Sequence, residues 1–378
     1  MAIDWAFDVV HCRLSALKPS GHERKNLRDE FYRCPKCGSS HLRASSTVWK
    51  CLSCDEAFGC VKGIPRLYVE SRLGARDAFL RDYFYSGFFG KHYSFMWPFI
   101  VLPVRPLHLS WLYWVAYCAG LVFCLGTIGF SIDLLLSEAE SWPAKVVALM
   151  ALAAITLLFW RHHYLFYILV LAVPTKVSVL LSKFRPIESF QDLHTRIIQN
   201  LNQHSETLKI LDIATGNCSS LYKHGWMKLN AEFAGIDLSE TMLTHGLYFM
   251  SDKKIPIDLV LGDACDLPFQ TGIFDVVLNY GALNAMTDPR RALAEMSRVA
   301  KPGGLVLFLD EQIYRGASCI EQLYFSKVLS AHNLVDHCPV ELLPADLEDI
   351  EVIQVYHFYY ICIARKAQVE RRIESGCR

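Results

Sequence analysis

Four apolar segments, each followed by a polar or small-residue turn, constrain the fold of this chain more than any other feature. Leu208–Cys218 is an apolar run that ends in small residues, as a buried parallel strand leading into a ligand-binding turn does. Phe233–Asp237 and Val260–Ala264 are short strands with an acid at or near the carboxyl end, and Phe274–Tyr280 ends in an amide and a phenol. This order predicts a doubly wound α/β domain whose ligand pocket lies at the carboxyl ends of its strands.

Three short sequence motifs within this region resemble those of a known family. They are Gly262-Asp263-Ala264, Leu267-Pro268-Phe269 and Lys301-Pro302-Gly303-Gly304. Together with the strands above they resemble the ubiquinone and menaquinone C-methyltransferase branch of the class I methyltransferases, over about half of the chain. The resemblance implies a seven-stranded Rossmann-like sheet with helices on both faces, over residues 186–366, and S-adenosylmethionine as the cofactor.

Residue by residue, the resemblance implies that Asp237 holds the ribose, that Asp263 holds the adenine, and that Asn279 lies beneath the sulfonium. The full set of expected cofactor-binding residues is Asp212, Ala214, Gly216, Asp237, Leu238, Asp263, Ala264 and Asn279. One position departs from the family, because Cys218 stands where the turn usually ends in glycine, and this puts the loop conformation in doubt. An ordinary doubly wound domain and a non-catalytic descendant are the alternatives.

The composition limits the class of protein. The chain has 38 basic and 38 acidic residues and no net charge, which argues against nucleic acid as a partner because nucleic-acid-binding proteins usually carry a basic excess. Its hydrophobic fraction of 52% exceeds that of an ordinary soluble chain and predicts a membrane-embedded part. No secretory signal is evident, so we expect the 14 cysteines to be reduced thiols and metal ligands.

Two C-x-x-C knuckles predict a zinc ribbon over residues 30–67. The expected ligands are Cys34, Cys37, Cys51 and Cys54, with thirteen residues between the knuckles. Four thiolates leave no open coordination position, so the metal is expected to be structural, in a domain too small to build its own core. Loss of the metal is then expected to unfold the ribbon and to leave the α/β domain largely intact. Disulfides are the competing interpretation.

Residues 109–175 predict a transmembrane hairpin. Leu109–Ile132 contains no charged residue, and Val146–Trp160 is a second apolar stretch whose alternative is a buried core helix. Tyr164–Val173 either extends the second span or lies flat at the surface. Basic residues flank the hairpin while acids predominate between its two stretches, which predicts a multi-pass protein with both termini and the α/β domain in the cytosol.

Residues 68–108 connect the ribbon to the hairpin. Within them, Phe79–Tyr93 is rich in aromatic residues and resembles the tyrosine-rich segment that class I methyltransferases fold over cofactor and substrate. An interfacial aromatic helix without a role in the site is the alternative.

The sequence therefore predicts a membrane-anchored methyltransferase that acts on a lipophilic small molecule, such as a quinone, a lipid or an isoprenoid-like acceptor. A zinc-ribbon RNA or protein methyltransferase and a non-catalytic cofactor-binding scaffold are the alternatives. No catalytic residue is assigned, because Asp310, Glu311 and His332 are candidate bases that no spacing distinguishes. Asn284 stands where the family often has a histidine, so a mechanism that depends on that histidine is not supported.

Overall fold

The computed structural model of the protein describes residues 31–87, 90, 129–133, 135–136, 142–161, 190–203, 206–317, 319, 322, 326, 329, 335–355 and 358–368. The chain forms two compact units. One contains residues 1–13 and 95–177, and the other contains residues 14–94 and 178–378.

Four short strands form a small sheet around the two C-x-x-C knuckles, within the residues predicted as the ribbon. They pair antiparallel in chain order, β1 (Leu42–Arg43), β2 (Val48–Cys51), β3 (Ala57–Val61) and β4 (Ile64–Pro65). Helix α1 (Ala75–Phe79) and a π-helical turn (Leu80–Tyr85) follow the ribbon.

Helix α2 (Trp142–Arg161) belongs to the first unit and contains the second predicted apolar stretch. Trp142, Val147 and Met150 on its first turns are largely exposed to solvent. Within the described ranges, no helix combines the length and the apolar character that a membrane crossing requires. Most of Leu109–Ile132 and all of Tyr164–Val173 lie outside the described residues, so the hairpin stays a prediction.

The α/β domain contains a seven-stranded sheet, as predicted. Its strands are β5 (Leu208–Ile213), β6 (Ala231–Asp237), β7 (Asp258–Leu261), β8 (Phe274–Tyr280), β9 (Ala300–Glu311), β10 (Leu347–Val355) and β11 (Tyr359–Lys366). The spatial order is β10-β11-β9-β8-β5-β6-β7. The five strands from β9 to β7 are parallel, while β11 runs antiparallel to β9 and β10.

The helices of the α/β domain that the structure describes include α3 (Phe190–Leu201), α4 (Ser219–Lys223), α5 (Glu240–Asp252) and α6 (Pro289–Val299). The Ser239 hydroxyl caps α5 by accepting a hydrogen bond from the backbone N–H of Met242. Asp288 caps α6 in the same way, and Pro289 suits its first turn because that position has no intrahelical hydrogen bond to lose. The chain passes outward from β5 through β6 to β7 and then returns to the other side of β5, so a crevice opens between the carboxyl ends of β5 and β8.

The ribbon and the α/β domain share one hydrophobic core. The Tyr32 ring packs edge-on against Trp49 of the ribbon, at 4.9 Å between centroids, and against Phe269 of the α/β domain at 5.2 Å. Cys34, Cys51 and Leu67 are also buried in the same cluster as the strands of the large sheet. The expectation that the ribbon unfolds alone does not agree with this packing. Unfolding of the ribbon would expose the apolar side chains of the α/β domain that it covers.

Candidate functional site

The turn after β5 has an unusual backbone. Ala214, Gly216 and Cys218 have φ values of 54°, 56° and 61°, so three of five consecutive residues lie in the left-handed region. The Thr215 hydroxyl stabilises the turn by donating a hydrogen bond of 2.7 Å to Asp212. Burial raises the pKa of Asp212 to about 7. The N–H groups of Thr215, Gly216 and Cys218 donate to Ile236, Asp237 and Thr215, so hydrogen bonds within the protein hold the turn at the carboxyl end of β5.

Cys218 resolves the doubt that the sequence raises about this turn. Its φ of 61° is the conformation that glycine adopts most readily, and the chain accommodates a side chain there instead. The thiol is completely buried against α5 at Gly246, where a Cβ would lie 2.7 Å from the Cys218 sulfur. The space for the thiol is therefore provided by a second glycine, which the sequence alone did not indicate.

Asp237 ends β6 beside the same turn. One carboxylate oxygen accepts a hydrogen bond from the N–H of Gly216 and the other from the N–H of Ser239, both at 2.8 Å. Burial raises the pKa of Asp237 to about 6, and the N–H groups oppose that shift by stabilising the charged form. The N–H of Leu238 also stabilises the charged form, and the carboxylate, with four lone pairs in all, retains acceptor capacity for a ligand hydroxyl.

Asp263 follows β7, the next strand in the sheet. It is almost completely buried, and its carboxylate accepts a hydrogen bond of 2.8 Å from the N–H of Cys265. Burial raises the pKa of this carboxyl above its usual range. Asp237 and Asp263 therefore place two buried acceptors at the ends of neighbouring strands.

A single pocket collects these groups. Of the eight residues that the resemblance assigns to the cofactor, six line it: Ala214, Gly216, Asp237, Leu238, Asp263 and Ala264. Asp212 and Asn279 lie beneath its lining. The Asn279 amide donates to the Ile213 carbonyl at 3.0 Å and links β8 to β5, while its own buried oxygen has no partner among the described residues.

Comparison with known proteins agrees with this geometry. The family model described as "Methyltransferase domain" matches residues 211–308. Residues 211–308, within the α/β domain, are therefore similar to a methyltransferase domain. The ubiquinone/menaquinone biosynthesis C-methyltransferases UbiE of Burkholderia vietnamiensis and Burkholderia multivorans are each 38% identical over 124 residues, which is 32% of this chain and 51% of those proteins. The chain thus spans about half the length of the curated relatives that it matches.

Among solved structures, phosphoethanolamine N-methyltransferase 2 of Haemonchus contortus is similar to part of this chain. Its complex with phosphomonomethylethanolamine and S-adenosylhomocysteine aligns with 17% identity and a TM-score of 0.40, covering 47% of this chain and 53% of that one.

Residues N-terminal to the α/β domain complete the lining of the pocket. Asp77 and Leu80 line it from α1 and the π-helical turn, as do Arg81 and Tyr85. The Asp77 carboxylate accepts a hydrogen bond of 3.1 Å from the N–H of Thr287, and burial together with the charge of Asp237 raises the pKa of Tyr85. The described part of the predicted aromatic segment thus lies against the pocket, and the rest, from Phe88 onward, lies largely outside the described residues.

Sequence reasoning missed Asp77 because no motif contains it. Its only signal is its position two residues before the aromatic segment Phe79–Tyr93, whereas Arg81 lies within that segment. Phe79 and Tyr83, on the same stretch, stack on each other at 5.3 Å between centroids and expose 49% and 71% of their surface.

A hydrogen-bond network in the α/β domain holds the hydroxyl of Tyr280, the last residue of β8. The Trp226 indole N–H donates to the Tyr280 hydroxyl at 2.8 Å, and His194 of α3 lies 2.7 Å from the same oxygen. Burial raises the pKa of Tyr280 well above its usual value. With its hydroxyl held in this way, the ring of Tyr280 forms a fixed wall of the pocket.

Two of the three candidate bases meet at the end of β9. Asp310 is buried and accepts from the N–H of Asn284 at 2.8 Å, while the Asn284 side chain donates to Glu311 at 3.0 Å. Burial and the neighbouring Glu311 raise the pKa of Asp310 well above its usual range. Neither acid lines the pocket, and His332 lies outside the described residues, so the structure singles out no base.

The four ribbon cysteines converge. Their sulfur atoms all lie within 4.8 Å of one another, with 3.7 Å between Cys34 and Cys54 and 3.6 Å between Cys37 and Cys51. A tetrahedral zinc ion with bonds of ~2.3 Å separates its sulfur ligands by about 3.8 Å. The described cysteines are all free thiols. The donor set and its spacing therefore fit a zinc ion better than the disulfide alternative, whose sulfur atoms would be ~2 Å apart.

Proposed function

We propose that the protein is an S-adenosylmethionine-dependent methyltransferase. One observation carries the proposal: the adjacent strands β5, β6 and β7 end in a glycine-containing turn, Asp237 and Asp263, and all three face one pocket. This arrangement offers a turn of small residues that a ligand can approach closely, an acceptor carboxylate for ribose hydroxyls, and a second carboxylate for an adenine amino group.

The residues of this chain contribute mainly by positioning. When bound, S-adenosylmethionine would supply an electrophilic methyl group on a positively charged sulfur. Asp77 and Tyr85 line the pocket from the N-terminal segment and would shield a bound cofactor from water, while the wall formed by Tyr280 would limit the positions that an acceptor can take.

The cofactor assignment predicts that Asp237→Asn lowers S-adenosylmethionine affinity about tenfold, which is close to the loss of one hydrogen bond to a charged group. Because the pKa of Asp237 is about 6, affinity of the wild type is expected to fall as pH drops through 6 and the acceptor carboxylate becomes protonated. Calorimetry of the full chain in detergent between pH 5 and 8 measures both effects.

Glu232→Gln is the matched control, because Glu232 lies at the exposed start of the same strand. This variant should bind as the wild type does, and Asp237→Asn should lose the pH dependence centred on 6. The cofactor assignment is wrong if the wild type binds no S-adenosylmethionine or if Asp237→Asn binds it equally well.

The metal proposal is one structural zinc ion held by Cys34, Cys37, Cys51 and Cys54. The convergence of the four sulfur atoms supports it. When bound, the ion supplies a crosslink between the two knuckles of the ribbon and takes no part in methyl transfer, since four thiolates complete its coordination.

For the acceptor, the proposal is a lipophilic small molecule that binds to the protein at the cytosolic face of a membrane. Residues 109–175 would attach the protein to that membrane. Supporting observations are the uncharged run Leu109–Ile132, the exposed apolar side chains on α2, and the exposed aromatic pair Phe79 and Tyr83 next to the pocket. Attachment would raise the frequency with which a bilayer-resident acceptor meets the pocket.

This proposal predicts that cells with the protein contain a lipid that differs by one added methyl group from its counterpart in cells without it. Mass spectrometry of lipid extracts measures the difference, and cells with the Asp237→Asn variant provide the control. A methyl group found on RNA or on a protein, with no change in the lipids, would show that the acceptor proposal is wrong and would favour the ribbon-associated macromolecular alternative.

A further inference from the structure

The ribbon holds both ends of the segment that carries Asp263. At the start, the N–H of Leu67 donates to the carbonyl of Leu261 at 2.7 Å, so the chain after β4 pairs in parallel with the end of β7. At the far end, the N–H of Arg33 donates to the Pro268 carbonyl at 3.0 Å, and the N–H of Gln270 donates to Phe31 at 2.9 Å. The pocket residues Asp263 and Ala264 therefore lie on a short segment that is hydrogen-bonded to the ribbon on both sides.

A third connection reaches the middle of the segment. The Arg72 guanidinium donates to the carbonyls of Pro35 and Lys36, at 2.6 Å and 3.0 Å, and so contacts the backbone of the first C-x-x-C knuckle. The same guanidinium lies 3.3 Å from the carboxylate of Asp266. Arg33, the residue before Cys34, donates to the other oxygen of Asp266 at 3.2 Å.

Asp266 is tied directly to the pocket acid. Its backbone N–H donates to the Asp263 carbonyl at 3.1 Å, within the turn in which Cys265 donates to the Asp263 carboxylate. A displacement of Asp266 would therefore move the Asp263 carboxylate, since both belong to one hydrogen-bonded turn.

We infer that the ribbon positions the adenine side of the cofactor pocket, with Arg72 as the positioning residue that links the first cysteine knuckle to Asp263 through Asp266. The inference rests on the proposed function. Two consequences follow, because linkage between two binding sites is reciprocal. An ordered, metal-bound ribbon strengthens cofactor binding, and bound cofactor strengthens metal binding by the same factor.

The test uses the full-length, zinc-loaded protein in detergent and two measurements, calorimetry with S-adenosylmethionine and equilibrium competition for zinc with a chromogenic chelator. Arg72→Gln is expected to weaken S-adenosylmethionine binding about 5- to 20-fold, in the usual range for coupled sites. In the wild type, saturating S-adenosylmethionine should raise the zinc affinity by a comparable factor, and in Arg72→Gln it should have little effect.

Arg43→Gln is the matched control, because Arg43 is an exposed arginine of the same ribbon on β1. Asp266→Asn is the second variant and should reproduce the loss of affinity. The Arg72→Gln, Asp266→Asn double variant should bind no more weakly than either single variant, since both remove one connection.

The outcomes separate this inference from the function on which it rests. If the wild type binds no S-adenosylmethionine, the proposed function fails, and the positioning role fails with it. If the wild type binds but Arg72→Gln and Asp266→Asn bind equally well, or the zinc affinity is the same with and without S-adenosylmethionine, only the positioning role is overturned.

Discussion

Replacing Cys34 and Cys51 by serine is expected to destabilise the ribbon and the α/β domain together. The double variant loses the metal site, and loss of a metal is among the few changes that exceed about 4 kcal/mol. Tyr32, Trp49 and Leu67 belong to the same buried cluster as the strands of the large sheet, so an unfolded ribbon uncovers that side of the sheet.

Hydrogen exchange measured by mass spectrometry reports this effect in each part of the protein. Peptides from the ribbon and peptides that cover 261–275 should lose protection together in the double variant. Elemental analysis should find one zinc ion per wild-type chain and none in the variant. Cys60→Ser is the control, because Cys60 lies on β3 of the same ribbon but outside the cluster of four cysteines.

The opposite result is equally clear. A ribbon that loses protection while the peptides over 261–275 keep theirs would show two independent folding units, as the sequence alone suggests. A metal-free wild type with a fully protected ribbon would contradict the zinc proposal itself.

The sequence predicted the features that depend on neighbours along the chain. Asp237 and Asp263 were predicted from their positions after short apolar strands, since the carboxyl ends of parallel strands meet at one edge of a sheet. The cysteine knuckles were predicted from their spacing, and the structure brings the four sulfur atoms together. Each of these signals lies within a few residues of the feature it predicts.

The features that the sequence did not predict depend on contacts between distant residues. Arg33 contacts Glu295 across 262 positions, and Arg72 contacts Asp266 across 194. An arginine before a cysteine knuckle is most simply a solvated surface residue, and nothing in its local pattern identifies the partner. The sequence therefore did not predict the hydrogen bonds between the ribbon and residues 261–270, the segment that contains Asp263.

Gly246 of α5 is expected to be needed for the conformation of the turn after β5, as the residues of that turn are. In Gly246→Ala the new methyl group would lie 2.7 Å from the buried sulfur of Cys218. The sulfur is completely buried, so the overlap is expected to cost about 2–3 kcal/mol of the free energy of unfolding, at the upper end for overpacking. Urea denaturation measures this loss, and calorimetry should show weaker S-adenosylmethionine binding, because the displaced turn includes Gly216.

A second substitution tests whether the sulfur is the cause. Cys218→Gly removes the sulfur and suits the φ of 61°, so the double variant Cys218→Gly, Gly246→Ala should recover most of the stability that Gly246→Ala loses. Recovery should be incomplete, because the methyl group also approaches the backbone of Asn217 and Gly216 at 3.3 Å and 3.4 Å. Cys218→Ala is the control, since it removes the sulfur but keeps a side chain in the left-handed conformation. If the effects of Gly246→Ala and Cys218→Gly simply add, the two positions do not share their space, and the cysteine is tolerated in this turn for a reason other than the glycine on α5.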